Sequence, residues 1–182
     1  GAVAAAQLWL PAVISDNMVL QRSRPVPIWG WAEPGETVKV TIAEAGAAAQ
    51  AGEDGRWQVR LPALEAQEQG LEMVIAGSSG SRLRVKNVMI GEVWLCTGPS
   101  NLFWPVKNCD HAQQETASAT YPKIRFFTVG RRMADQPQAD CEGRWEQCSP
   151  ATVPDVSGVG YFFARQLHED LKVPVGLVQS FW

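Results

Sequence analysis

The chain has 182 residues, 46% of them apolar and 19% charged, enough to bury a hydrophobic core. Sixteen Lys and Arg against nineteen Asp and Glu give a net charge of -3, which excludes the basic field of a nucleic-acid binder. No apolar run is long enough to span a membrane, and eight Trp stand beside only two His, His111 and His168.

The opening Ala2-Val3-Ala4-Ala5-Ala6-Gln7 carries small residues at Ala4 and Ala6, the A-x-A spacing of a signal-cleavage site ahead of Gln7. An Ala-rich terminus reads equally well. The next stretch, to about residue 90, reads as strands. Val38, Val40 and Ile42 alternate with Lys39 and Thr41; Trp57, Val59 and Leu61 with Gln58 and Arg60; Leu83 and Val85 with Arg82, Arg84 and Lys86. Period two with one polar face predicts antiparallel, half-solvated strands. Glu33-Pro34-Gly35-Glu36 predicts a type II turn, and Asp54-Gly55 predicts a hairpin. Together these imply a small all-β sandwich over residues 1–90.

From Gly91 the pattern changes. Val93-Trp94-Leu95-Cys96 is continuously apolar, as a strand covered on both faces should be. Ile124–Val129 is another strand. Val159, Phe162, Phe163, Leu167 and Leu171 recur at helical spacing, with Ser157 as N-cap and Pro174 as a stop. Val175–Trp182 is again strand-like. Strand, helix, strand with a short last connection begins a parallel α/β sheet over residues 91–182, incomplete where the sequence ends at Trp182.

The cysteines are Cys96, Cys109, Cys141 and Cys148; Cys141 and Cys148 bracket a short loop and form the candidate pair, while Cys96 reads as a buried thiol. At most one disulfide and an extracytoplasmic location are expected. No cysteine spacing suits zinc, no H-E-x-x-H occurs, and neither phosphate-loop signature is present.

The sharpest local feature is Thr97-Gly98-Pro99-Ser100-Asn101, directly after the apolar strand. Sites in open α/β sheets form at the C-terminal ends of strands, so Ser100 is positioned as a nucleophile. Leu102 stands where a G-x-S-x-G elbow needs its second Gly, and the turn composition alone is ordinary.

The run Leu10–Arg22, then Pro25–Ala32, Gly91–Cys96, Ser100-Asn101 with Trp104-Pro105-Val106, Trp145–Pro150, Gly160–Arg165 and Pro174–Ser180 resembles, in order, the sialate O-acetylesterase family. The resemblance covers nearly the whole chain. It implies an SGNH-type serine hydrolase that removes O-acetyl groups from sialic acids or plant polysaccharides, with a β-rich domain ahead of the catalytic one. Carried over by residue, Ser100 matches the nucleophile of a Gly-Gln-Ser-Asn-Met box and donates its backbone N–H to the oxyanion. Pro99 replaces the Gln of that box, and Leu102-Phe103 replaces Met-Glu. The family's paired glycines, Asn block and late Asp-x-x-His have no counterpart here. The resemblance therefore implies that a further C-terminal part of the polypeptide supplies the base. An extracytoplasmic protein of this kind is periplasmic or secreted, or lysosomal in a eukaryote.

Neither local histidine fits the role of base. His168 lies at the helix end facing the N-terminal edge of the sheet, and His111 reads as a solvated loop residue. Trp57 and Trp94 fit buried strand positions, and Trp29 and Trp31 share a strand face expected in the core. Asn101 and Trp104 are the candidate substrate contacts. Arg131-Arg132 could meet a sialate carboxylate, but a short basic pair is usually a solvated surface. The sequence thus points to a carbohydrate O-acetylesterase acting on an acetylated carbohydrate without metal or cofactor, with a non-catalytic carbohydrate-binding or structural module as the alternative.

Overall fold

The computed structural model describes residues 8–181; the Ala4 and Ala6 motif and the terminal Trp182 lie outside them. Strands β1 (Val19–Gln21), β2 (Val26–Trp31), β3 (Thr37–Ile42), β4 (Ala45–Gln50), β5 (Arg56–Leu61) and β6 (Gln67–Gly77) lead into the long β7 (Arg82–Gly98). Then follow α1 (Ser100–Phe103), α2 (Ala112–Ser118), β8 (Tyr121–Thr128), β9 (Trp145–Cys148), α3 (Gly158–Leu171) and β10 (Val175–Phe181). The fold is mostly β, with one mixed sheet in the order β4-β3-β6-β7-β10-β8-β9, β1 added on β7, and a separate antiparallel pair β2–β5.

The period-two segments form strands because their apolar sets all reach one core. Val38, Val40 and Ile42 of β3, Trp57, Val59 and Leu61 of β5, Val26 and Ile28 of β2, and Met73 and Ile75 of β6 are buried together. Glu33–Glu36 closes as a type II turn: Glu36 N–H donates to Glu33 O at 2.9 Å, and Gly35 takes φ 79°. Asp54-Gly55 is also a turn, but not a hairpin. Gly55 N–H donates to Gly52 O and Arg56 N–H to Asp54 Oδ1, yet β4 pairs with β3 and β5 with β2. Turn chemistry set the reversal; the buried face of β5 chose a partner in the other layer. The real hairpin joins β3 to β4 through Ala43-Glu44, with Ala43 at φ 48°, a position the sequence does not advertise.

Trp29 and Trp31 face outward rather than into the core. Val26, Ile28 and Gly30 take the inward phase of β2, because a side chain at Gly30 would collide with Trp57 and with Trp9 O, 2.4 Å from its Cβ position. Trp31 instead stacks on Trp9 with ring centroids 3.7 Å apart.

Strand β7 joins the two halves of the chain. It pairs antiparallel with β6 as far as Ile90 and, from Glu92, parallel with β10. Beyond that point a second core forms from Ile124 and Phe126 of β8, Val175 and Leu177 of β10, and Tyr161 and Ala164 of α3. Ser157 caps α3 by accepting from Gly160 N–H at 3.2 Å. The helix fully buries Gly158, Gly160, Tyr161 and Ala164, and of the stripe expected from its large residues only Phe162 and Leu167 pack against this core. Small residues let it approach the sheet, with the Cβ position of Gly160 3.3 Å from Leu177, while Val159, Phe163 and Leu171 remain exposed. Trp94 and Leu95 are likewise 45% and 64% exposed instead of covered on both faces. Trp94 packs edge-to-face with Phe163, ring centroids 5.2 Å apart, and β7 has β10 on one side alone over Glu92–Gly98 among the described residues.

Arg125, 1% exposed, ties the halves together. Its guanidinium donates to Pro122 O at 2.6 Å and to Asn17 O at 3.0 Å, and burial pulls it down to about 10, still protonated at neutral pH. The candidate pair Cys141 and Cys148 is not bridged: all four cysteines are free thiols. Cys141 packs against the first core and Cys148 lies inside the second, so different layers hold the two side chains apart. Cys96 is a partly buried free thiol, pushed up by burial.

Glu36 anchors the turn after β6. Its carboxylate accepts from the Ser79 hydroxyl at 2.5 Å and from Ser79 N–H at 3.2 Å, and these bonds, the hydroxyl first, hold it below the usual carboxylate range. A depressed folded-state value contributes stability above the unfolded value, lost as pH falls through the folded one. The stability gap between the protein and Glu36→Gln should therefore be constant above the usual carboxylate range and shrink as pH falls through and below it, read by denaturant titrations at each pH.

Candidate functional site

The C-terminal ends of β7, β8 and β10 meet at one edge of the parallel sheet, and the turn after β7 carries Ser100. Pro99 is extended (φ -78°, ψ -164°) and ends the strand, and α1 starts at once, Leu102 N–H donating to Pro99 O at 3.0 Å. A tight strand-to-helix turn leaves the first helical side chain outside, and Ser100 and Asn101 are both exposed.

Phe103, one turn further along α1, lies 5.7 Å from Phe181 at the end of β10, and the Arg131 guanidinium stacks 4.0 Å from the Phe103 ring centroid. Beside these groups a cleft of about 360 Å³ is lined by Thr97, Gly98, Gly130, Arg131, Ser180 and Phe181. Gln179, 1% exposed, braces this edge: its Oε1 accepts from Ser157 N–H at 3.1 Å and its Nε2 donates to Thr128 Oγ1 at 3.2 Å.

Among the sequence-derived candidates, Ser100 and Asn101 stand at this edge. Trp104 follows α1, 56% exposed, its indole N–H donating to Asn108 O at 3.0 Å and its carbonyl accepting from Gly158 N–H at 2.8 Å. Its ring is thereby fixed with one face in solvent. The histidines are not brought in. His168 Nδ1 is bonded to Val173 O at 2.6 Å, at the start of β10 and hence the opposite edge of the sheet. His111 is an exposed residue at φ 57° just before α2. Among the described residues no side chain hydrogen-bonds the Ser100 hydroxyl, and no three of His, Cys, Asp and Glu cluster as a metal site. Sequence reasoning gave Arg131 no fixed place; its signal was a basic residue just past a parallel strand, where the chain must turn along the site edge.

A crystal structure titled as a novel carbohydrate acetylesterase from Xanthomonas citri superposes with a TM-score of 0.91 at 36% identity, over 96% of this chain and 40% of that one. Sialate O-acetylesterases of Rattus norvegicus and Homo sapiens are 30% and 31% identical over 93% of the chain. Along nearly its whole length the chain is similar to the sialate O-acetylesterases. It spans 34% and 36% of the length of those two family members. No family model matches the sequence.

Proposed function

We propose that this chain supplies the nucleophile, Ser100, of a carbohydrate O-acetylesterase. The observation that carries the reading is the exposed serine on the turn leaving a parallel strand, in a chain that is kin to acetylesterases along its length. Ser100 Oγ attacks the acetyl carbonyl, and the tetrahedral oxyanion takes a hydrogen bond from Ser100 N–H. Collapse releases the sugar hydroxyl and leaves an acetyl-enzyme, which water hydrolyses to acetate. Asn101 and Trp104 contact the sugar. A base must accept the serine proton. Since His168 faces the other sheet edge, we assign that role to a further part of the polypeptide carrying an Asp-x-x-His. Residues 1–90 form a β-sandwich domain and residues 91–182 the first part of the hydrolase domain, divided where β7 changes from antiparallel to parallel partners. The substrate is an acetylated sialic acid or plant-type polysaccharide sugar, met outside the cytoplasm.

One observation favours a second reading, a non-catalytic carbohydrate-binding or structural module: Pro99 removes an N–H immediately ahead of Ser100. A serine-directed phosphonate separates the two. Labelling of Ser100 in a polypeptide extended through the downstream family segment supports the esterase, and an unlabelled Ser100 supports the module. Residues 1–182 alone should show no enzyme-like ester hydrolysis; a turnover abolished by Ser100→Ala in that short form would sink the assignment of the base.

A further inference from the structure

The indoles expected in the core form an outer surface instead. On the exposed face of the β2–β5 pair, Trp29 lies opposite Gln58 and Trp31 opposite Arg56. Directly opposed side chains on one face of an antiparallel pair are near neighbours, so each indole is set beside a hydrogen-bonding group. These four residues, with Gly30, buried Trp57 and Ala139, line a cleft of about 310 Å³. Trp9 and Trp29 are 41% and 37% exposed, and Trp9 braces Trp31 by stacking, which fixes that ring before any ligand arrives. Arg56 lies 3.6 Å from Asp54 in a solvent-exposed ion pair, so a carboxylate stands beside the one guanidinium lining the cleft.

A protein-docking patch concentrates apolar groups and keeps hydrogen-bonding side chains to its rim. Here the two kinds alternate residue by residue. That alternation suits a pyranose, whose C–H face lies on an indole while its hydroxyls reach an amide or guanidinium at the edge. The loop from Val129 to Glu142 then gives the cleft a direction. Ala139 lines the tryptophan cleft, Gln138 and Asp140 line a second, and Arg132 is shared by that second cleft and the one beside Gly98. Gly130 N–H donates to Glu142 O at 2.7 Å and Ala12 N–H to Asp140 Oδ1 at 2.9 Å, pinning the loop at both ends.

We propose that the Trp29/Trp31 cleft is a binding site for a neutral pyranose unit of a glycan chain, and that this chain runs along the Val129–Glu142 loop towards Ser100. The protein then prefers acetylated oligo- or polysaccharide over a free acetylated monosaccharide. The cleft stands on its own geometry; only the direction towards Ser100 rests on the esterase reading.

The test uses Trp29→Ala and Gln58→Ala, both on the exposed face, with unchanged thermal unfolding as the check on folding. Retardation of residues 1–182 in gels containing deacetylated xylan or xyloglucan reads binding without catalysis. Both variants should lose roughly tenfold or more in affinity, the scale of one lost stacking or hydrogen-bonding partner. In the extended polypeptide the kcat/KM ratio for acetylated xylan over acetylated xylose should fall by a similar factor. Unchanged retardation in folded variants, or no retardation of the parent chain by any neutral glycan, overturns the cleft. Lost retardation with an unchanged ratio keeps the cleft and overturns its connection to Ser100. If Ser100→Ala keeps its hydrolysis while the retardation arm succeeds, the esterase assignment alone falls.

Discussion

Replacing Ser100 by alanine in the extended polypeptide should lower kcat on an acetylated sugar at least roughly 1000-fold, because the proposed covalent route loses its nucleophilic oxygen. KM should move little: the exposed hydroxyl makes no structural hydrogen bond among the described residues, and its removal leaves the α1 turn intact. Mass spectrometry after rapid quench gives a second readout. The parent should carry an acetyl group on the Val93–Lys107 stretch, and Ser100→Ala should not. Serine nucleophiles elsewhere on the chain would leave the rate within a factor of a few, and that outcome would remove Ser100 from the mechanism. Pro99→Gln restores an N–H and a side-chain amide beside the serine. If the missing donor limits the rate, this substitution should raise kcat, with the backbone already extended at that position.

The sequence made legible what depends on local alternation. The burial phases of β3 and β5, the turn at Gly35, the Ser157 cap and the parallel placement of β10 all follow from short-range patterns that tertiary packing did not override. Phase was lost where a small residue outranked a large one. Gly30 took the inward position on β2 and sent Trp29 and Trp31 outside, and Gly160 and Ala164 took the sheet-facing side of α3 and left Val159 and Phe163 exposed. A rule that the largest apolar residue goes inside fails where two backbones must approach closely, since only a missing side chain permits the approach. The serine turn was readable because a site edge is fixed by strand direction. The Arg131–Phe103 stack was not, because it joins a loop to a helix with no spacing rule between them.

The same logic identifies Gly91 as the position where a small change should cost most. Strand β7 stops pairing with β6 at Ile90 and begins pairing with β10 at Glu92, so Gly91 is the residue at which the strand exchanges an antiparallel neighbour for a parallel one within the mixed sheet. Its carbonyl accepts from Arg22 N–H at 2.8 Å, while Glu92 N–H donates to Pro174 O at 2.9 Å and the Glu92 carboxylate holds Arg22 Nε at 2.7 Å. A Cβ at Gly91 would lie 2.0 Å from Pro174 O and 2.7 Å from its carbonyl carbon. Those are backbone atoms at the mouth of β10, and no rotamer change can clear them. Gly91→Ala should therefore displace the start of β10 from β7, weakening the parallel ladder that positions both Ser100 and Ser180. A cost of about 2–4 kcal/mol is expected, the upper part of the range for single substitutions, equivalent to a fall in Tm of roughly 4–16 °C for a chain of this size. Gly46→Ala is the control. It sits on a strand as well, but its nearest neighbour is the Thr41 methyl at 3.3 Å, a side-chain contact near the solvent that can give way. Equal melting temperatures for the two variants would show that the passage at Gly91 tolerates a side chain, and with it that the two halves of the sheet are not rigidly joined there.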